Sequence, residues 1–227
     1  MYFNLKRPYD YLYPHERLIE LIYGLVIALA ITNSVHLVGQ SGTVDVQLMA
    51  ETALGAGIAW GIIDALLYLV VIVYERNRYI HVADDLQNSQ DEKSAMGIIQ
   101  EDLEDSIIGT LDVEDQERIY RDVLGAQRRV GYADKARGVS SLGREDYLGA
   151  FQVFFAMLVA TLVVVVPLYV VEPPHVAVIV SNLVALLSLF VVGYLWARHT
   201  RINKVKFGVL LAVMGAGIVV ITFFLGG

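Results

Sequence analysis

The stretch TALGAGIAWGIIDALLYLVVIVY, Thr52–Tyr74, runs for 23 residues with a single charge inside it, Asp64. An α-helix rises about 1.5 Å per residue, so about 20 apolar residues cross the hydrocarbon of a bilayer. The stretch is therefore predicted to be a transmembrane helix. A carboxylate at the centre of such a helix costs about 2.5–3.5 kcal/mol on insertion scales. An acid in that place is a functional-site hypothesis by default. Gly57, Trp60, Gly61, Asp64 and Tyr68 share one side at i, i+3/i+4 spacing. Gly57 and Gly61 form a GxxxG pair, a surface on which a second helix can lie closely. Asp64 is thus expected to face a helix interface or cavity. Its carboxyl group can be kept neutral by a proton, ionised with hydrogen bonds from Asn33, Asn182 or Tyr23, or used to bind and release cations or protons.

Four more stretches reach spanning length: about Leu18–Val38, Tyr147–Val171, Val176–Ala197 and Phe207–Leu225. The chain of 227 residues is 56% hydrophobic and 18% charged, with a mean hydropathy of +0.55. Soluble domains carry about 25% charged residues. The predicted fold class is an all-α integral membrane protein of five transmembrane helices with a cytoplasmic helical insert between the second and third. Its parts are 1–75 (N-terminal segment and spans 1–2), 76–146 (acidic helical segment) and 147–227 (spans 3–5). There is no cysteine, which excludes disulfides, thiolate metal sites and a cysteine nucleophile. The N-terminal MYFNLKRPYDYLYPHERL has no apolar stretch ending in small residues, so the first span is expected to direct insertion itself.

Charge sets the expected orientation. Lys6, Arg7 and Arg17 precede the first span, ten basic residues lie between Arg76 and Arg144, and Arg198, Arg201, Lys204 and Lys206 lie between the fourth and fifth spans. These are all 17 Lys and Arg, and none lies within the core of a span. By the positive-inside rule the N-terminus and 76–146 are cytoplasmic and the C-terminus is outside, in the inner or plasma membrane of the cell. Pro173-Pro174 marks a tight external turn. Pro167 falls near the outer end of the third span, where a kink is tolerated. No internal repeat is visible.

Residues 75–146 hold 17 acidic and 10 basic side chains. This excess disfavours nucleic acid or anionic lipid as partners. Two amphipathic helices are predicted. Ser94–Gly109, capped by Asp91 or Ser94, puts Met96, Ile99, Leu103 and Ile107 on one face, and Val113–Val130 gathers Ile119, Tyr120 and Val123. Glu114 and Glu117 have Arg118 and Arg121 four residues on, so a solvated, salt-bridged surface explains them. Glu101, Asp102, Glu104 and Asp105 have no basic neighbour within four positions. Glu101, Glu104 and Asp105 lie within one turn, and a hard divalent cation would offset their repulsion. A solubilising acidic face accounts for the same residues.

In the first span Glu20 lies about one turn inside the cytoplasmic boundary, followed on its side by Tyr23, Gly24, Ile27, Ile31 and Ser34, with Asn33 adjacent. The fifth span carries a small-residue stripe, Gly208, Ala212 and Ala216. His36, His175 and His199 sit at span ends and read as interfacial or loop residues. No catalytic serine, HExxH or paired-aspartate motif appears in the spans, so no enzyme is expected.

ERLIELIYGLVIALAITNSV (Glu16–Val35) and GAGIAWGIIDALLYL (Gly55–Leu69), with the five-span layout and its insert, resemble the vacuolar iron transporter family. The family's first span carries Asp-Gly-Leu-Val, where this chain has Tyr23-Gly24-Leu25-Val26. Its second span has a Met four residues before an acid, where this chain has Trp60 and Asp64. The resemblance implies a homodimer whose pathway runs between the two first helices. It also implies cytoplasmic glutamates that collect Fe2+ or a similar metal, which is exchanged for protons. Glu20 stands one turn from Tyr23, where it could take over from the missing aspartate. The pathway residues expected are thus Asp64, Glu20, Tyr23, Trp60 and Asn33, and the metal-binding ones Glu101, Glu104, Asp105, Asp64 and Glu20. The function expected is transport of Fe2+ or Mn2+ out of the cytoplasm, by proton exchange, with no cofactor other than the ion itself. A non-transporting membrane metal sensor or scaffold of the same fold is the other reading.

Overall fold

The computed structural model describes residues 14–38, 45–89, 91–104, 106–130, 142–198 and 200–225. Among these are seven α-helices and no strand. They are α1 (Pro14–Val38), α2 (Val46–Asn88), α3 (Glu92–Leu103), α4 (Val113–Val130), α5 (Arg144–Val170), α6 (Pro174–Ala197) and α7 (Lys204–Leu225), with a 3-10 turn at Ile107–Thr110 between α3 and α4. Five of them, α1, α2, α5, α6 and α7, are long and apolar enough to cross a membrane. The five predicted spans therefore exist as helices. α2 continues past Tyr74 to Asn88.

The chain divides into two compact units. The first comprises Met1–Tyr68 with Arg144–Gly227. In it α1 packs against α5, α6 and α7, and α6 lies between α5 and α7. Leu25, Ala28 and Leu29 of α1 meet Ala160 and Val164 of α5 and Ala185 and Leu189 of α6. Met49, Ala50 and Ala53 of α2 pack with Val165, Leu168, Ala177 and Val178. Small residues set how near the helices come. A Cβ on Gly24 would fall 2.6 Å from the Ala160 Cβ, and one on Gly57 would fall 2.3 Å from Thr161 Oγ1 and 2.9 Å from its Cβ. Gly61 packs on Phe154 and Met157, so both members of the GxxxG pair face α5. On α7 the inward residues are Gly208, Leu211 and Gly215, shifted from the expected stripe because Ala212 and Ala216 are half-buried.

Several buried polar side chains in this unit are bonded to one another or to backbone. Asn33 Nδ2 donates to Asn182 Oδ1 and Asn182 Nδ2 donates back to Asn33 Oδ1, both at 3.0 Å. Ser181 Oγ donates across to the Val164 carbonyl at 2.6 Å. The outer faces are apolar, as with Ile58, Ile62, Leu66 and Val70 on α2 and Leu183, Leu187 and Val191 on α6. Such faces suit a hydrocarbon surround, where every backbone group is satisfied inside its own helix.

The second unit, Leu69–Gly143, is organised around Leu86, Ala95, Ile99, Tyr120 and Leu124. Asp91 is the cap of α3, accepting from the Ser94 backbone N–H at 2.6 Å. The helix is shorter than predicted and ends at Leu103, not Gly109. Ser106 Oγ donates to the Leu103 carbonyl at 2.5 Å and accepts from Ile108 N, which diverts the chain into the 3-10 turn. Gly109 then lies against the Glu104 carbonyl, where a Cβ would sit 2.0 Å from the oxygen. Ile107 is consequently 75% exposed and does not join the face of Met96, Ile99 and Leu103. α4 has the predicted bounds. Arg121 pairs with Glu117 at 3.4 Å as expected, but Arg118 takes Asp115 at 2.7 Å in place of Glu114.

Two predictions follow from these contacts. Gly57→Ala should lower the thermal stability of the detergent-solubilised protein, because overpacking costs about 1–3 kcal/mol. Gly55→Ala, with open space around its Cβ, should not. The bond from Ser94 N–H holds the Asp91 carboxyl below its ordinary value. A lowered folded-state pKa stabilises the charged form, so the cap is present above the unfolded carboxylate range near ~4 and is lost as pH falls through the lower folded value. Hydrogen exchange at the Ser94 amide of the full-length protein should therefore show the α3 start loosening on acidification, and Asp91→Ser should remove that pH dependence.

Candidate functional site

The membrane acids are positioned by α5. Gly24 of α1 and Gly61 of α2 both pack on Met157: a Cβ on Gly24 would lie 2.9 Å from the Met157 carbonyl oxygen, and one on Gly61 3.5 Å from the Met157 Cβ. α2 runs antiparallel to α5, since Gly57 meets Thr161 and Tyr68 meets Gly149. Glu20 lies one turn before Gly24 on α1, and Asp64 nearly one turn after Gly61 on α2. In antiparallel helices these displacements run the same way. Glu20 and Asp64 therefore come to one level along α1 and α2.

Among the described residues no ion pair reaches either acid. Among the described residues Glu20 Oε2 is buried with no hydrogen-bond partner. No hydrogen bond or ion pair reaches Asp64 from Asn33, Asn182 or Tyr23. Glu16 lies one turn before Glu20 on α1. Like charges gathered in a poorly solvated layer repel strongly, because the dielectric that weakens Coulomb forces is missing. A cation or protons relieve that repulsion.

The other membrane candidates are elsewhere. Tyr23 and Trp60 point out of the unit, 53% and 47% exposed. Asn33 is 13 residues beyond Glu20, about 20 Å along the helix, and its amide is taken up by Asn182 and the Leu29 carbonyl. The structure thus places Glu20 and Asp64 at one level and leaves Asn33 apart from them.

In the second unit Glu101 and Glu104 are exposed at the end of α3. Asp102, for which no local basic partner was found in the sequence, forms an ion pair with Arg78 of α2. Asp105, the third of the expected trio, lies outside the described residues. Among the described residues no three His, Asp or Glu side chains gather as a metal-holding group. His175 is exposed; His199 and the side chain of His36 lie outside the described set.

A model of the VIT family matches residues 85–227, the end of α2 and every helix after it. The match stops short of Glu16–Val35 and Gly55–Leu69, the stretches that hold Glu20 and Asp64. No curated protein matches the chain. The family match takes in more than half of the 227 residues, and five apolar helices of spanning length accompany it. The chain is accordingly an integral membrane protein with metal-ion transport as its family's activity, and it belongs to the VIT family, that of the vacuolar iron transporters.

Proposed function

We propose that this protein transports Fe2+ or Mn2+ out of the cytoplasm in exchange for protons, with Glu20 and Asp64 as the paired acids of the membrane pathway. The observation that supports the reading is their shared level on α1 and α2, with no ion pair to either among the described residues. Two carboxylates can hold one divalent cation or two protons, so exchange through this pair leaves its charge unchanged. Oxygen donors suit Mn2+ and Fe2+, and Trp60 in place of a thioether removes a ligand that would favour softer ions. Glu16 extends the acidic surface toward the N-terminal end of α1. Glu101, Glu104 and Asp105 would capture metal from the cytoplasm, with residues 76–146 on that side by the distribution of basic charge. The exposed Tyr23 and Trp60 are available to a second copy, and a homodimer would complete a pathway for which five helices are few.

The test is metal flux into proteoliposomes under a pH gradient. Wild-type protein should move Mn2+ or Fe2+ with counterflow of protons. Asp64→Asn and Glu20→Gln should each reduce the flux by about tenfold or more, the equivalent of about 1.4 kcal/mol in the barrier. Glu101→Gln with Glu104→Gln should raise the half-saturating metal concentration and leave the maximal rate largely intact. Full flux through Asp64→Asn would refute its role. Metal binding by the wild type with no flux at all would point instead to a sensor or scaffold.

A further inference from the structure

The link between α6 and α7 concentrates positive charge. Arg198, Arg201, Lys204 and Lys206 fall within nine residues, and all four are exposed. Among the described residues none of these side chains has an ion-pair or hydrogen-bond partner, whereas Arg78, Arg118 and Arg121 each hold a carboxylate. The turn is braced. Thr200 Oγ1 donates to the Ala197 carbonyl and accepts from Ile202 N, each at 3.3 Å, and Asn203 Oδ1 accepts from Lys206 N at 3.1 Å. Beneath it Trp196 and Phe207 meet edge to face, with centroids 5.8 Å apart at 80°. A Cβ on Gly193 would lie 3.0 Å from the Gly208 Cα, so the two helices are locked together at this end. Between the cations, Ile202 and Val205 stand 52% and 55% exposed.

The placement identifies the counter-ion. α6 and α7 are adjacent helices long and apolar enough to span, and the turn between them lies where both apolar stretches end; in a bilayer that is the depth of the lipid headgroups. The concentrated anions at that depth are lipid phosphates. Ile202 and Val205 reach the acyl boundary from the same turn, as apolar residues among cations do on interfacial helices. Orienting the chain during insertion requires only the charges. It requires neither a braced turn nor exposed aliphatic side chains between them. We infer that Arg198–Lys206 is a headgroup site for anionic phospholipid: the four cations engage the phosphate region, and Ile202 and Val205 anchor beside it.

The experiment is native mass spectrometry of the full-length protein in neutral detergent, titrated with phosphatidylglycerol or phosphatidylcholine. Wild-type protein should retain phosphatidylglycerol about tenfold better, since each basic residue near an anionic surface contributes substantially. R198Q/R201Q/K204Q/K206Q should lose the preference. I202Q/V205Q keeps every charge, and with it the insertion signal, and should weaken phosphatidylglycerol retention several-fold. Millimolar inorganic phosphate should not displace the lipid. Equal retention of the two lipids by wild type, undiminished phosphatidylglycerol retention in either variant, or displacement by phosphate would each overturn the inference. Metal flux is not read, so this result is independent of whether Glu20 and Asp64 carry ions.

Discussion

Backbone-to-backbone approach is the constraint from which the membrane unit follows. Lipid tails are as apolar as leucine, so helices surrounded by them gain little from hiding aliphatic side chains and associate through close packing. That packing requires positions with almost no side chain. At Gly24 against Ala160 and Gly57 against Thr161 a single added methyl has no room. The buried alanines, Ala28, Ala53, Ala160, Ala177 and Ala185, continue the same solution through the core. Large aliphatic residues also cover the outer faces, as at Leu66, Val70, Leu183 and Leu187, where a protein in water would be polar.

The acidic pair is a product of this packing. α1 and α2 both bear on Met157 through glycine, and the residues one turn away on each are carboxylates. A bulkier residue at Gly24 or Gly61 would move the helices apart and lower the electrostatic tension between Glu20 and Asp64. The pair therefore depends on van der Waals contacts that carry no charge themselves.

Much of the architecture was legible from sequence because hydropathy acts over long stretches. Five runs of apolar residues became five helices, and the glycine pair of α2 found its neighbour. Errors arose where local chemistry overrides periodicity. Met96, Ile99, Leu103 and Ile107 are correctly spaced for one helical face, yet Ser106 bonds the Leu103 carbonyl and ends the helix first. Arg118 chose Asp115 over Glu114, a choice of rotamer that spacing alone does not decide. The partner of Asp102, Arg78, is 24 residues away, beyond any window of helical neighbours. In the site, Asp64 and Glu20 were legible because charge in an apolar run is anomalous. Their proximity was not, because it depends on which residue of α5 each helix touches. Asn33 illustrates the opposite case, a polar residue in a span that serves packing.

The Asn33–Asn182 pair has a geometric consequence for the distant carboxylates. Two reciprocal amide bonds are directional, so they fix how far α1 can turn about its own axis as well as how near it lies to α6. At about 100° per residue, the 13 steps from Glu20 to Asn33 put the two side chains on different sides of the helix. A roll of roughly 30° would break both amide bonds and swing a Cβ at about 3 Å radius through roughly 1.5 Å. The direction in which Glu20 leaves α1 is therefore set by an angular stop about 20 Å away, and it can be retuned from a position that does not touch it.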